Sequence, residues 1–238
     1  MLRALSILCL SVTLSAGQKW PALKTTFSIN PFSGFNAQPM TSAEAEAAGW
    51  ELLASCDGKF LGHRYANPAD FSLVLIYDDA GYIAGSQSVL PLQHIDSSLF
   101  DSTVMPAYQL DMWYDQEAYF ATAYFVDPSV ICTGGRSSEE FESQGTGDRL
   151  MVQMGETPDS LVNIPLTREV ADMDPVWFDH KCFPGMGDHY LQFNYQPDQN
   201  YLFVLPLQIF YSEGVMAIGA IIDCPATCIL STMLHTSY

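Results

Sequence analysis

Two stretches of this chain read as one pattern written twice, 126 positions apart. At that shift Cys182 falls on Cys56, His189 on His63, Pro165 on Pro39, Thr167 on Thr41 and Ala171 on Ala45. "QPMTSAEAEAAGWELLASC" at 38–56 and "IPLTREVADMDPVWFDHKC" at 164–182 align without a gap, with Trp50 and Trp177 one residue out of step. Cysteine, histidine and proline are seldom matched by chance, so the spacing predicts an internal duplication.

The two copies share a plan downstream. Each has a proline-containing loop, then an apolar strand, a tight turn with glycine and a second apolar strand. The first is "SLVLIYDDAGYIAGSQSVL", turning at Asp78 to Gly81; the second is "VLPLQIFYSEGVMAIGAII", turning at Ser212 to Gly214. Glycine supplies the positive φ that tight hairpins need. These strands are apolar almost throughout, which predicts that both faces are covered.

Thr41 with Glu44 is a capping box opening a helix over Ala43 to Leu53, interrupted by Gly49. Thr167 opens the matching helical stretch, broken or restarted at Pro175, and Ser137 with Glu140, a second capping box, opens a third helix. "LKTTFSI", "DRLMVQM" and "FATAYFV" read as strands.

The pattern predicts a strand-dominated α+β fold: two helix-plus-antiparallel-strand units about a pseudo-two-fold axis, packed as one body. A single antiparallel β-sandwich with short helices is the alternative. The expected divisions are 1–17 a leader, 18–112 the first unit, 113–143 a connecting strand and short helix, and 144–238 the second unit. The second unit lacks a counterpart of 113–143, and its end, "CPATCILSTMLHTSY", does not resemble the matching part of the first.

The first 17 residues carry Arg3, an apolar run from Ala4 to Leu14 and small residues at 15–17, the pattern of a cleaved secretory signal. The mature chain then begins at Gln18 and is extracellular. Residues 201–222 are apolar, but Pro206, Gln208, Ser212, Glu213 and Gly214 interrupt them, so a hairpin rather than a membrane span is expected.

Cys9 leaves with the leader. Cys56, Cys132, Cys182, Cys224 and Cys228 remain, enough for two disulfides and one odd thiol in an oxidising compartment. Either each unit closes its own bridge, Cys56 with Cys132 and Cys182 with Cys224 or Cys228, or Cys56 joins Cys182 across the axis.

Asp and Glu number 27 against 9 Lys and Arg, for a formal charge of −18. Such a surface repels nucleic acid and suits a cation or a cationic partner. No nucleophile elbow, phosphate-binding loop, dinucleotide fingerprint or zinc-protease motif occurs.

The chemistry-bearing candidates are few. The repeated His63 and His189, with His180 as a third nitrogen, are candidate ligands for copper or zinc. Their alternative role is to anchor the turns of their own units. Asp78 and Asp79, in a hairpin turn, are candidate calcium ligands, although aspartate is common there for structural reasons. Two functions are expected from different classes. One is a secreted acidic binding or matrix protein holding an extracellular protein, a cation or a small ligand. The other is a secreted transition-metal enzyme built on the paired histidines.

Overall fold

The computed structural model describes residues 20–26, 36–95, 106–183, 187–192, 207–212, 215–220 and 232–237. The leader, Cys224 and Cys228 lie outside them. Strands dominate and pair antiparallel, with four short α-helices among the described residues.

One sheet orders its strands as β10 (Leu161–Asn163), β9 (Met151–Gln153), β8 (Gln116–Tyr124), β6 (Ile83–Pro91), β5 (Asp70–Tyr77), β4 (His63–Asn67) and β3 (Glu51–Ser55), with β7 (Tyr108–Trp113) also on β8. The other orders β11 (Trp177–Phe183), β12 (Gly187–Gln192), β13 (Leu207–Ser212), β14 (Val215–Ala220), β15 (Thr232–Ser237), β1 (Lys24–Thr26) and β2 (Asn36–Ala37). The hairpins expected at Asp78 to Gly81 and Ser212 to Gly214 are present as β5–β6 and β13–β14.

The strand orders have a common form. β3-β4-β5-β6-β8 in one sheet and β11-β12-β13-β14-β15 in the other are each a run of five antiparallel neighbours, and a short strand pair lies at the end of each. β9–β10 closes the first sheet, and β1–β2 closes the second. Helix α1 spans Ser42–Ala47 and α4 spans Arg168–Met173, the same span at the 126-residue shift, with threonine N-caps Thr41 and Thr167. Ser55 stands opposite His63 and Lys181 opposite His189, again at that shift. Tyr65 donates to Glu46, and Tyr190 donates to Asp172.

One local expectation is corrected, one pair of alternatives is decided and one helix is new. The helix begun at Thr41 ends at Ala47, and Glu51–Ser55 is strand β3. Gly49, at φ 86°, turns the chain out of the helix, and pairing with β4 outweighs the helical propensity of "ELL". Of the two outcomes open at Pro175, the structure has the break: the helix begun at Thr167 stops at Met173. Asp174, the residue before proline, is extended, as proline's ring requires. The second capping box, at Ser137, opens α3 (Ser138–Gln144) as expected. A fourth short helix, α2 (Pro128–Ile131), was not expected.

The first sheet is strongly curled. β4 and β7 are separated by four ladders, about 19 Å across a flat sheet. Yet Arg64 of β4 meets Asp111 of β7 at 3.1 Å, and the Lys59 ammonium donates to the Leu110 carbonyl. Inside the curl Phe60, Ala66, Val74, Val89, Trp113, Ala118 and Phe120 form one buried cluster, drawn from β4 through β8. The outer face packs into a larger core that takes Leu73, Leu75, Tyr77 and Phe125 from one half and Ala171, Trp177 and Tyr190 from the other. Both faces of β5 and β6 are therefore covered, which explains their unbroken apolar sequence.

Candidate functional site

The curl brings the edge strand β3 near β7, and the pairings of the described residues do not join them. A cleft of about 330 Å³ remains at this seam. Leu52, Leu53 and Ala54 form one wall; Asp111, Met112 and Tyr114 form the other; Asp57 and Arg64 line it between them. Leu52 and Met112 are 53% and 46% exposed, unusual for large apolar side chains flanking charged groups.

Arg64 organises the charges. Its guanidinium is only 3% exposed and lies 4.6 Å from the centre of the Phe60 ring. One amino group donates to Asp57 Oδ2 at 2.5 Å and the other to Asp111 Oδ2 at 3.1 Å. Two carboxylates face one cation, so the site is negative as well as apolar.

Burial pushes the Asp57 carboxyl up. The amide of Phe60, the Arg64 charge and the amide of Lys59 together outweigh it and leave the group below its ordinary value of 3.8. A depressed carboxyl contributes its stability above the unfolded pKa and loses it as pH falls through the folded one. The Asp57–Arg64 pair therefore persists to a lower pH than an ordinary aspartate would allow. Across the seam, burial and then the Glu51 carboxylate raise the Tyr114 hydroxyl.

The loop between β3 and β4 is fixed from several sides. Cys56 is bridged to Cys132, just past α2, with their Cα atoms 6.0 Å apart. This is one of the two arrangements expected for Cys56, and it removes the Cys56–Cys182 bridge. Phe60 plugs the curled interior, and Asp57 Oδ1 accepts from the amides of Lys59 and Phe60. The Leu61 amide donates to the Tyr124 hydroxyl at 2.9 Å, which donates to Gln153 Oε1 at 3.0 Å; Gln153 Nε2 returns to the Lys59 carbonyl. Burial raises the Tyr124 hydroxyl well above its ordinary value, so it stays a neutral donor.

At the end of β3, on the face of the sheet opposite Arg64, lies a second polar group. His63 Nδ1 is 3.0 Å from Ser55 Oγ, and His63 Nε2 is 3.1 Å from Asp79 Oδ1. Asp79 Oδ2 accepts from the Gly134 amide at 2.9 Å. Ser55 is exposed, and the side chains of His63 and Asp79 are each 32% exposed.

The neighbouring Asp78 behaves differently. Its side chain is fully buried and ion-paired to Arg136 Nε at 3.0 Å. Its other oxygen accepts from the amides of Ala80 and Tyr82. Arg136 also donates to the carbonyls of Gly145 and Ile83.

The sequence-derived candidates are thus distributed unevenly. His63 lies on the face of β4 opposite the cleft, bound to Ser55 and Asp79. His180 and His189 lie on β11 and β12 of the other sheet, and Cys182 is on β11. Among the described residues no group of three or more His, Cys, Asp or Glu is arranged to hold a metal. Asp78 spends both oxygens on protein donors, whereas Asp79 orients His63. Sequence reasoning missed Ser55, Asp57, Arg64 and Asp111. One signal was present: arginine is scarce in this chain, and Arg64 stands inside strand β4, between His63 and Tyr65. No family model matches the chain, and no match to a curated protein or a solved structure was found.

Proposed function

We propose that the chain is a secreted, acidic binding protein that takes a basic, partly apolar partner into the cleft between β3 and β7. The observation that carries this reading is the pairing of Asp57 and Asp111 around one buried arginine, between the exposed Leu52 and Met112. The chain's formal charge of −18 favours approach of a cation. Octylammonium, titrated with octanoate as control and followed by calorimetry, is expected to bind saturably at one site. Asp111→Asn is expected to weaken it about tenfold or more, the scale of losing one partly buried charge contact. Equal behaviour of octylammonium and octanoate, or no effect of the substitution, would count against the cleft as the binding site.

Secretion is supported by the leader-like first 17 residues and is compatible with the Cys56–Cys132 disulfide. Among the described residues no helix is long and apolar enough to cross a membrane. Mass spectrometry of protein exported from eukaryotic cells is expected to find an N-terminus at Gln18; a retained Met1 would refute cleavage.

We further infer that the two halves arose by duplication and exchange their short terminal hairpins. Matching helix spans, the matching registers of β3–β4 and β11–β12 and the reciprocal places of β1–β2 and β9–β10 support this. Under that reading β15 takes the place of β8.

A further inference from the structure

The Ser55–His63–Asp79 chain is more than a clasp on a turn. A neutral imidazole carries one N–H, and the Asp79 carboxylate only accepts. The proton therefore sits on Nε2, facing Asp79 at 3.1 Å. Nδ1 is left with a lone pair, and it faces Ser55 Oγ at 3.0 Å. This is the arrangement of nucleophile, base and orienting carboxylate, with the two ring nitrogens in exchanged places relative to the usual serine hydrolase.

Three further observations bear on it. The carboxylate is itself held, by the Gly134 amide two residues from the Cys132 half of the disulfide. The hairpin does not require a serine here, since the other sheet has Lys181 opposite its histidine at the same register. Just past Ser55 the backbone is left-handed at Cys56 (φ 37°) and Gly58 (φ 84°), and the amides of Asp57 and Gly58 have no hydrogen-bond acceptor among the described residues. They are donors available to an oxyanion. Ala54 and Asp57, which flank the Ser55–Cys56 pair, both line the seam cleft.

We propose that Ser55, His63 and Asp79 hydrolyse carboxylic esters that reach this exposed face of the sheet. Ser55 Oγ attacks the ester carbonyl carbon while its proton passes to His63 Nδ1. The bond to the alcohol oxygen breaks, and His63 returns the proton to that oxygen. Water then attacks the acyl-serine, giving a proton to His63. Collapse frees the carboxylic acid, and the proton returns to Ser55 Oγ. The sum is ester plus water giving acid plus alcohol. Asp79 keeps the ring in one tautomer and offsets the charge of the imidazolium.

The test uses the full, disulfide-intact protein and a fluorophosphonate probe, followed by peptide mapping. One phosphonyl adduct on Ser55, formed with loss of fluoride, is expected, and His63→Gln should abolish it. p-Nitrophenyl acetate turnover should vanish in Ser55→Ala, whose exposed position lets the melting temperature report an unchanged fold. Asp79→Asn should slow turnover by about 10²-fold or more. An adduct at another residue, no adduct, or equal turnover in a folded Ser55→Ala variant would overturn the assignment.

Discussion

Asp78→Ala is expected to destabilise the protein by about 3–5 kcal/mol, the cost of leaving a buried charge without its partner. Arg136 is only 3% exposed, and its guanidinium is fully enclosed by Asp78, the Gly145 and Ile83 carbonyls and the Phe141 ring. Removing the carboxylate strands that cation and releases the turn amides of Ala80 and Tyr82. Urea unfolding followed by tryptophan fluorescence measures the change. Arg136→Met should cost a similar amount, because the carboxylate is then the stranded ion. The double variant should lose clearly less than the two single losses combined, since neither ion remains to be stranded. Additive losses would mean that the pair does not act as a unit. The effect is structural, but it reaches the site: Asp79 follows directly, and its hold on His63 depends on this turn.

Breaking the Cys56–Cys132 bridge is the second large effect. It closes a loop of 76 residues, and constraint of the unfolded chain over that length is worth about 4 kcal/mol. Cys56→Ser with Cys132→Ser should lower stability on that scale. The same change should loosen the site, because Cys56 stands between Ser55 and Asp57, and Cys132 stands just before Gly134. Both fluorophosphonate labelling and octylammonium binding should therefore fall together under conditions where the variant is still folded. A stability loss with both activities intact would show that the loop is held well enough by Phe60 and the Tyr124–Gln153 network.

These two expectations show how unevenly the site was written in the sequence. Cys56 and Cys132 were visible as candidate partners, but pairing is a matter of distance and two arrangements stayed open. Asp78 and Asp79 were visible as a turn. Their opposite fates, one sealed in the core and the other half-exposed against His63, depend on Arg136 and Gly134, which come from a loop more than fifty residues away. His63 drew notice because it has a counterpart, whereas Ser55, which gives it chemical meaning, has none. Arg64, Asp57 and Asp111 meet across four strand ladders, a contact no local pattern encodes.

By itself the sequence determined the things that depend on neighbours along the chain. These are the strand-rich class, the β5–β6 and β13–β14 hairpins, the three capped helix starts and the acidic surface. Each follows from spacing, glycine geometry, side-chain capping or charge, and none needs a distant residue. Only the tertiary structure decided how far the helices run, since cross-strand pairing at β3 overrode helical propensity beyond Gly49. It also decided which hairpin finishes which sheet and the curl that turns two sheet edges into a cleft. Sheet closure and buried ion pairs are set by residues brought together from far apart, and their energy appears only once the backbone has already chosen its path.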